Sequence, residues 1–211
     1  MGNKLIKYLD RNFNNYKSDL YSAFIENGFK FLKENGYNSM VTMHSWLFQG
    51  SFEKMRTKYI EEYTFNSILH LGMEAFDNII GKVVQTVGFT LCKARNIKYK
   101  TNAVRLVDFY DSRRYEKENE FFNEKNRYII NQNLFKQIPG NVVAYRVSEN
   151  IINSFKNNEV IGNYAEPKQG LATADNERFL KLWHEIEGTD LLNTNNKWKP
   201  HNKGGAYRVC N

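Results

Sequence analysis

The chain has 211 residues, 41% hydrophobic, 15% aromatic and 25% charged, enough for one domain or one and a half around a buried core. No apolar run approaches the ~18 residues of a membrane span, the first residues lack a secretory signal, and two cysteines, Cys92 and Cys210, do not make a disulfide scaffold; a cytoplasmic protein without a membrane partner is expected. The formal net charge of +7 favours a polyanion as partner, nucleic acid first.

Residues 3–13 read as a short helix, with Leu5, Ile6, Leu9 and Phe13 near helical spacing. Ser18 or Asp19 is a good N-cap for a second helix. In it Tyr21, Ile25, Gly28 and Leu32 form one row, with Leu20, Phe24 and Phe31 beside it, an apolar face wide enough to cover a sheet. Asn35-Gly36 stops this helix. The apolar, β-branched run 37–43 then reads as a buried strand, and the helix-then-strand order predicts an α/β domain with a largely parallel sheet.

A further helix is expected over 51–62, with Phe52, Met55, Arg56 and Tyr59 on one side. Strands follow over 65–71 and 82–92, adjacent in a buried sheet, with Phe76 presented from the loop between them. Gly88 inside the second marks a bulge or a close contact. Composition then shifts to Lys, Arg, Glu, Asn and Tyr over 93–133, where 103–109 is a strand candidate. Residues 113–133 form a helical or irregular connector anchored by Tyr115, Phe121, Phe122, Tyr128, Ile129 and Ile130. Pro139-Gly140 is a boundary signal. A helix carrying Ala144, Val147, Ile151, Ile152 and Phe155 runs to Asn157-Asn158, and the chain from Gly162 is loop-rich.

Among groups with intrinsic chemistry, Ser45 lacks the G-x-S-x-G context of a hydrolase elbow. His44, His70, His184 and His201 have no metal-ligand spacing and read as structural or surface residues, so no metal is expected. There is no Walker loop and no G-x-G-x-x-G. Cys92 reads as a small core residue.

Several runs, in collinear order, carry a resemblance. They include Lys17-Ser18-Asp19-Leu20-Tyr21-Ser22-Ala23-Phe24-Ile25-Glu26, Met40-Val41-Thr42-Met43-His44-Ser45-Trp46, Ser51-Phe52-Glu53-Lys54-Met55-Arg56, Ala75-Phe76-Asp77 and Val83-Val84-Gln85-Thr86-Val87. Ile138-Pro139-Gly140, Pro167-Lys168-Gln169-Gly170-Leu171-Ala172-Thr173-Ala174-Asp175-Asn176-Glu177-Arg178-Phe179 and Lys203-Gly204-Gly205 continue the series. Together they resemble the adenine-specific DNA methyltransferases of the phage-growth-limitation X family of BREX phage-defence systems, over most of the chain and least over 93–133.

The resemblance implies an α/β fold: the C-terminal half of a Rossmann-like class I methyltransferase sheet over 1–95, a mixed α+β connector over 96–140, and the start of a target-recognition region over 141–211. It implies methyl transfer from S-adenosylmethionine to the N6 amine of adenine in DNA, with the target base leaving the duplex stack. By its position Phe76 would stack on that base; without the resemblance it reads as a plug packing the hairpin into the core. Asp19, Leu20, Tyr21 and Phe24 fall where the family lines its cofactor and target pockets, although Asp19 also reads as a helix cap and Tyr21 and Phe24 as core. Lys168, Gln169, Thr173, Asn176 and Arg178 fall at the start of the recognition region, where cations neutralise phosphates and polar side chains read base edges; they also suit a polar loop ahead of a helix starting near Asp175.

The chain departs from the family pattern in two respects. Neither its Gly-rich cofactor loop nor the Asn-Pro-Pro-Tyr tetrapeptide that accepts the adenine amine occurs in this sequence. The expectation is therefore a fragment, inactive alone, with an unpaired sheet edge and a need for a chain carrying the missing half. A non-enzymatic DNA-binding or complementing module is the alternative reading, and a remnant without function a third.

Overall fold

The structure, a computed structural model, describes residues 2–76, 84–166, 168, 174–186 and 198–199. The chain divides into two compact units, Met1–Val160 and Ile161–Asn211. The first is built on a five-stranded mixed sheet: β1 (Tyr37–Met43), β2 (Thr64–Gly72), β3 (Thr86–Cys92), β4 (Thr101–Arg105) and β5 (Arg127–Ile130). Their spatial order is β1-β3-β2-β4-β5.

The expected largely parallel sheet is not what forms. Of the four ladders, β1–β3, β2–β3 and β4–β5 are antiparallel and only β2–β4 is parallel. β3, last of the first three strands in sequence, inserts between β1 and β2 and runs against both, which makes two of the antiparallel ladders. Since β1 and β2 both run against β3, and β4 runs with β2, the strands β1, β2 and β4 end at the same edge of the sheet. β5 lies in a stretch expected to be connector; its partner β4 supplies the ladder that makes it a strand.

The helices α1 (Asn3–Asn12), α2 (Leu20–Lys30) and α3 (Glu53–Glu62) pack on one face of this sheet. Leu9, Ile25, Phe29, Trp46, Met55, Tyr59, Ile60, Phe65, Ile68, Phe89 and Leu91 form the core there. On α2 the buried positions are Ser22, Ala23, Ile25, Glu26 and Phe29, a helical period. The expected face was wider: Phe24 and Phe31 are 58% and 81% exposed. The helix meets the sheet through Gly28 instead, where a Cβ would stand 2.9 Å from Asn38 Nδ2, the amide that donates to the Ile25 carbonyl at 3.0 Å. Gly88 marks neither a bulge nor a tight contact: the register shifts lie in β2, and a Cβ at Gly88 would be 3.7 Å from its nearest neighbour.

Two buried polar side chains hold distant segments together. Gln132 accepts from the Phe65 N–H at 2.9 Å and donates to the Ile60 and Tyr63 carbonyls at 3.1 and 2.8 Å, joining the end of α3 to the start of β2. Arg56 of α3, fully buried, donates to the carbonyls of Trp46, Gln49, Gly140 and Asn141. The Pro139-Gly140 turn, read from sequence as a boundary, is thus tied into the first unit, with Gly140 at φ +74. A third polar cluster sets Lys58 against Glu26 at 2.6 Å. Burial alone would lower the Lys58 pKa, but the hydrogen bond and charge of Glu26 outweigh it and the net shift is upward.

On the opposite face β1 leaves Tyr37, Val41 and Met43 exposed. Toward β4 that face is covered by Val104, Leu106 and Phe109, with Leu69, Leu71 and Phe121 packed against them. Among the described residues the first unit also holds the helices α4 (Lys117–Phe121) and α5 (Glu149–Asn157), and α6 (Asn176–Phe179) lies in the second. Among the described residues no helix is long and apolar enough to cross a membrane.

Candidate functional site at the carboxyl ends of the strands

Open α/β sheets bind ligands at the carboxyl ends of their strands. Here that edge is formed by His44 after β1, by the loop that follows Gly72 after β2, and by Arg105 at the end of β4. Gly72 has φ +72, and a Cβ on it would lie 2.7 Å from Val107 Cα, so only glycine lets the chain leaving β4 cross so closely.

Three side chains from distant parts of the sequence meet there in a line. His44 Nδ1 lies 2.8 Å from His70 Nε2, and His70 Nδ1 lies 2.6 Å from the Tyr145 hydroxyl. The β1–β3–β2 register makes this possible: His44 N–H donates to the Gln85 carbonyl at 2.9 Å, just ahead of Thr86, and Val87 is paired with His70. Tyr145 is carried in by the segment that follows the Arg56 clamp, where Val143 N–H donates to the Leu47 carbonyl at 2.9 Å. Phe48 stands edge-on to the His44 ring at 5.5 Å and tilted against His70 at 5.8 Å.

All three groups are held neutral at ordinary pH. His70 is pulled down to about 3, first by burial and then by the fields of His44 and Arg105. Burial also lowers His44. Burial raises Tyr145, against the pull of Arg105. A neutral imidazole has one donor and one acceptor nitrogen, so the line is satisfied in either of two directions. In one, Tyr145 donates toward His44; in the other, His44 donates toward Tyr145.

The line opens on a cleft of about 260 Å³ lined by Phe48, His70, Gln85, Arg105, Tyr145 and Arg146, with apolar walls from Val107, Val143 and Val147. Arg105 is paired with Asp108 through both carboxylate oxygens. Asp108 lies in the fields of three arginines, 105, 146 and 113, and the hydrogen bond from Arg105 leads in holding it below the usual carboxylate range. Arg113 is itself paired with Glu116 at 2.9 Å.

The residues singled out from the sequence fall in several places. Asp19 is the N-cap of α2, but its side chain makes no capping bond; the Ser22 hydroxyl donates to the Tyr16 and Asp19 carbonyls instead. The Tyr21 hydroxyl pairs with Ser45 Oγ at 2.8 Å, beside His44. Its pKa is raised, mainly by burial, with Asp19 adding to the rise. Asp19 and Tyr21 therefore come to the strand-end edge, whereas Leu20 and Phe24 line an apolar groove of about 200 Å³ with Leu5, Tyr8, Leu9 and Phe13.

Phe76 is 49% exposed in the loop after β2 and is not a core plug. That loop is tied at its start by Lys117 to the Met73 carbonyl and by Glu74 to the Asp111 N–H at 2.5 Å. Lys168, Asn176 and Arg178 belong to the second unit. There Lys168 pairs with Glu166 at 2.6 Å, and the Arg178 N–H is capped by Asp175 at 3.1 Å. Gln169 and Thr173 lie outside the described residues.

Sequence reading took His44 and His70 as structural or surface residues and did not single out Tyr145. The two histidines are not close in sequence and carry no motif. The available signal was their phase: each sits at the end of an apolar strand run.

The family described as Eco57I restriction-modification methylase matches residues 1–76. The adenine-specific methyltransferase BrxX of Escherichia coli O9:H4 (strain HS) is 38% identical over 99% of this chain, and the adenine-specific methyltransferase PglX of Lacticaseibacillus casei (strain Zhang) is 31% identical over 99%. The chain spans 17% and 18% of the lengths of these two relatives. Among solved structures, the type I restriction-modification methyltransferase subunit from Streptococcus thermophilus aligns over 64% of the chain and 33% of its own, at 19% identity and TM-score 0.48. The DrdV–DNA complex aligns over 71% and 16%, at 16% identity and TM-score 0.48.

Proposed function

We propose, for a chain homologous along 99% of its length to part of the adenine-specific methyltransferases BrxX and PglX, that it supplies one portion of an enzyme methylating the N6 amine of adenine in DNA, in a phage-defence or restriction-modification system. The 38% identity sustained over nearly the whole chain carries this reading. In it residues 1–95 are part of the catalytic domain, the C-terminal half of a Rossmann-like sheet. Residues 96–140 connect it to the start of a target-recognition region over 141–211, and β4 and β5 extend the catalytic sheet into that connector. The parallel run of β1, β2 and β4 to one edge supports the Rossmann-like assignment.

Phe76, half exposed at that edge, is the residue we assign to stacking on the target base. Lys168, Gln169, Thr173, Asn176 and Arg178 are assigned to DNA contact. S-adenosylmethionine would supply the methyl group, but Asp19, Leu20, Tyr21 and Phe24 do not fit a complete site for it. They split between the strand edge and a groove of about 200 Å³, below the ~300–1,000 Å³ of pockets that enclose drug-sized ligands.

Two measurements test the reading. The purified chain, given labelled S-adenosylmethionine and adenine-containing duplex, is expected to incorporate no label, because the sequence has no Asn-Pro-Pro-Tyr to accept the amine. Incorporation is expected once a polypeptide bearing the family's cofactor loop and that tetrapeptide is added. DNA binding without incorporation in either mixture would favour a non-enzymatic DNA-binding module. The second measurement is Phe76→Ala, expected to weaken binding of duplex with a mismatched target adenine by about 5–150-fold, the worth of ~1–3 kcal/mol of base stacking, with the melting temperature unchanged. An unaltered affinity would remove Phe76 from the site.

A further inference from the structure

We propose that the cleft floored by His70 and Tyr145 is a subsite for one phosphate-bearing nucleotide unit, and that the His44–His70–Tyr145 line sets whether the Tyr145 hydroxyl donates into it. The lining is rich in donors: the guanidinium of Arg146, the amide of Gln85 and the Tyr145 hydroxyl, with Arg105 behind them. Arg105 is engaged by Asp108 and Arg113 by Glu116, so Arg146, exposed at the mouth, is the surplus cation among these five groups. Guanidinium groups favour phosphate over a point-charge partner because their fork matches its oxygens. Phe48, 37% exposed at the rim, offers a ring for the sugar or base. A volume of about 260 Å³, under the ~300–1,000 Å³ that encloses a drug-sized ligand, takes the phosphate and sugar and leaves the base outside it.

The line couples this site to His44. When Tyr145 donates to His70 Nδ1, its lone pairs face the cleft and repel an anion. When His44 Nδ1–H donates to His70 Nε2, and His70 Nδ1–H donates to Tyr145, the phenolic hydrogen is released to the bound phosphate. Only the second arrangement leaves His44 Nε2 able to take a proton while every bond is kept. Anion binding and protonation of His44 therefore favour the same arrangement, and each strengthens the other. Among the described residues the groups facing the line are Arg105 from β4, Tyr128 from β5, and Arg146 and Asp108 around Tyr145, and no carboxylate of these residues is hydrogen-bonded to it.

The inference stands on the cleft and not on methyl transfer, so its test reads binding alone. Adenosine monophosphate and a short labelled oligonucleotide would be titrated into the full chain by calorimetry and fluorescence anisotropy. Tyr145→Phe, which keeps the ring, and Arg146→Gln, at an exposed position, are each expected to weaken binding by about tenfold, as befits one charge-assisted hydrogen bond. Affinity of the unaltered chain is expected to rise as pH falls from about 7 toward about 5, at and below the ordinary titration range of histidine, because burial lowers His44. That rise should survive in Arg146→Gln and vanish in Tyr145→Phe. Binding of the mononucleotide would identify a free nucleotide as sufficient, whereas binding of the oligonucleotide alone would identify the phosphate of a strand. The proposal is overturned if neither probe binds, if both variants bind as the unaltered chain does, or if the pH dependence persists in Tyr145→Phe.

Discussion

Replacing Arg56 by leucine is expected to destabilise the first unit by about 3–5 kcal/mol, a large share of the ~5–15 kcal/mol that holds a typical domain folded. The guanidinium is fully buried, and four carbonyls, those of Trp46, Gln49, Gly140 and Asn141, accept from it. Each buried acceptor left unpaired costs about 1–3 kcal/mol, and local relaxation recovers part of the sum. Leucine restores apolar volume but no donor. Lysine is expected to do better than leucine and worse than arginine, because three donors on one nitrogen cannot span the two turns that the planar fork joins. Urea unfolding followed by tryptophan fluorescence measures the loss; a change under about 1 kcal/mol would mean the carbonyls find other partners. The site should fail first, since the clamp secures the turn ahead of Val143 and Tyr145 and the His70–Tyr145 bond depends on that segment.

Acid is expected to unfold the domain through His70. Its folded pKa is lowered to about 3, against an ordinary histidine value of ~6.5 in the unfolded chain. Between those values the unfolded state binds more protons than the folded one. The stabilisation is therefore fully present above about pH 6.5 and is lost as pH falls toward about 3, on the order of 5 kcal/mol in all. His44, also lowered by burial, adds loss in the same direction. In His70→Gln, whose amide titrates nowhere in this range, the fall of stability across that window is expected to flatten, although the variant starts less stable at neutral pH. Thermal melts between about pH 7 and about pH 4 would check it. Equal slopes for the two proteins would show that carboxylates, not His70, control acid unfolding.

The elements of the first unit were legible because their signals are local. The periodic apolar positions of α1 to α3 and the β-rich runs of β1 to β3 stand close to where they were expected, and Phe76 falls in the loop that was read for it. β5 was missed because four residues, Arg127–Ile130, carry too little pattern to be told from an anchored connector; their pairing with β4 makes them a strand. The mixed direction of the sheet was not legible because helix-then-strand order is only a statistical guide, whereas the insertion of β3 between β1 and β2 is a tertiary pairing with no local pattern.

By itself the sequence determined the family likeness and the apolar segments that build the sheet and its helices, since both are properties of residues in order. It also determined the absence of Asn-Pro-Pro-Tyr and of a Gly-rich cofactor loop. Only the tertiary structure decided which polar groups meet. Arg56 finds the carbonyls of Gly140 and Asn141, and His70 finds both His44 and Tyr145, across long stretches of chain. The physical reason is that hydrogen bonds act only at close range and in fixed directions. Strand register and the crossing of the chain at Gly72, neither of them written in any local pattern, decide which groups come within that range.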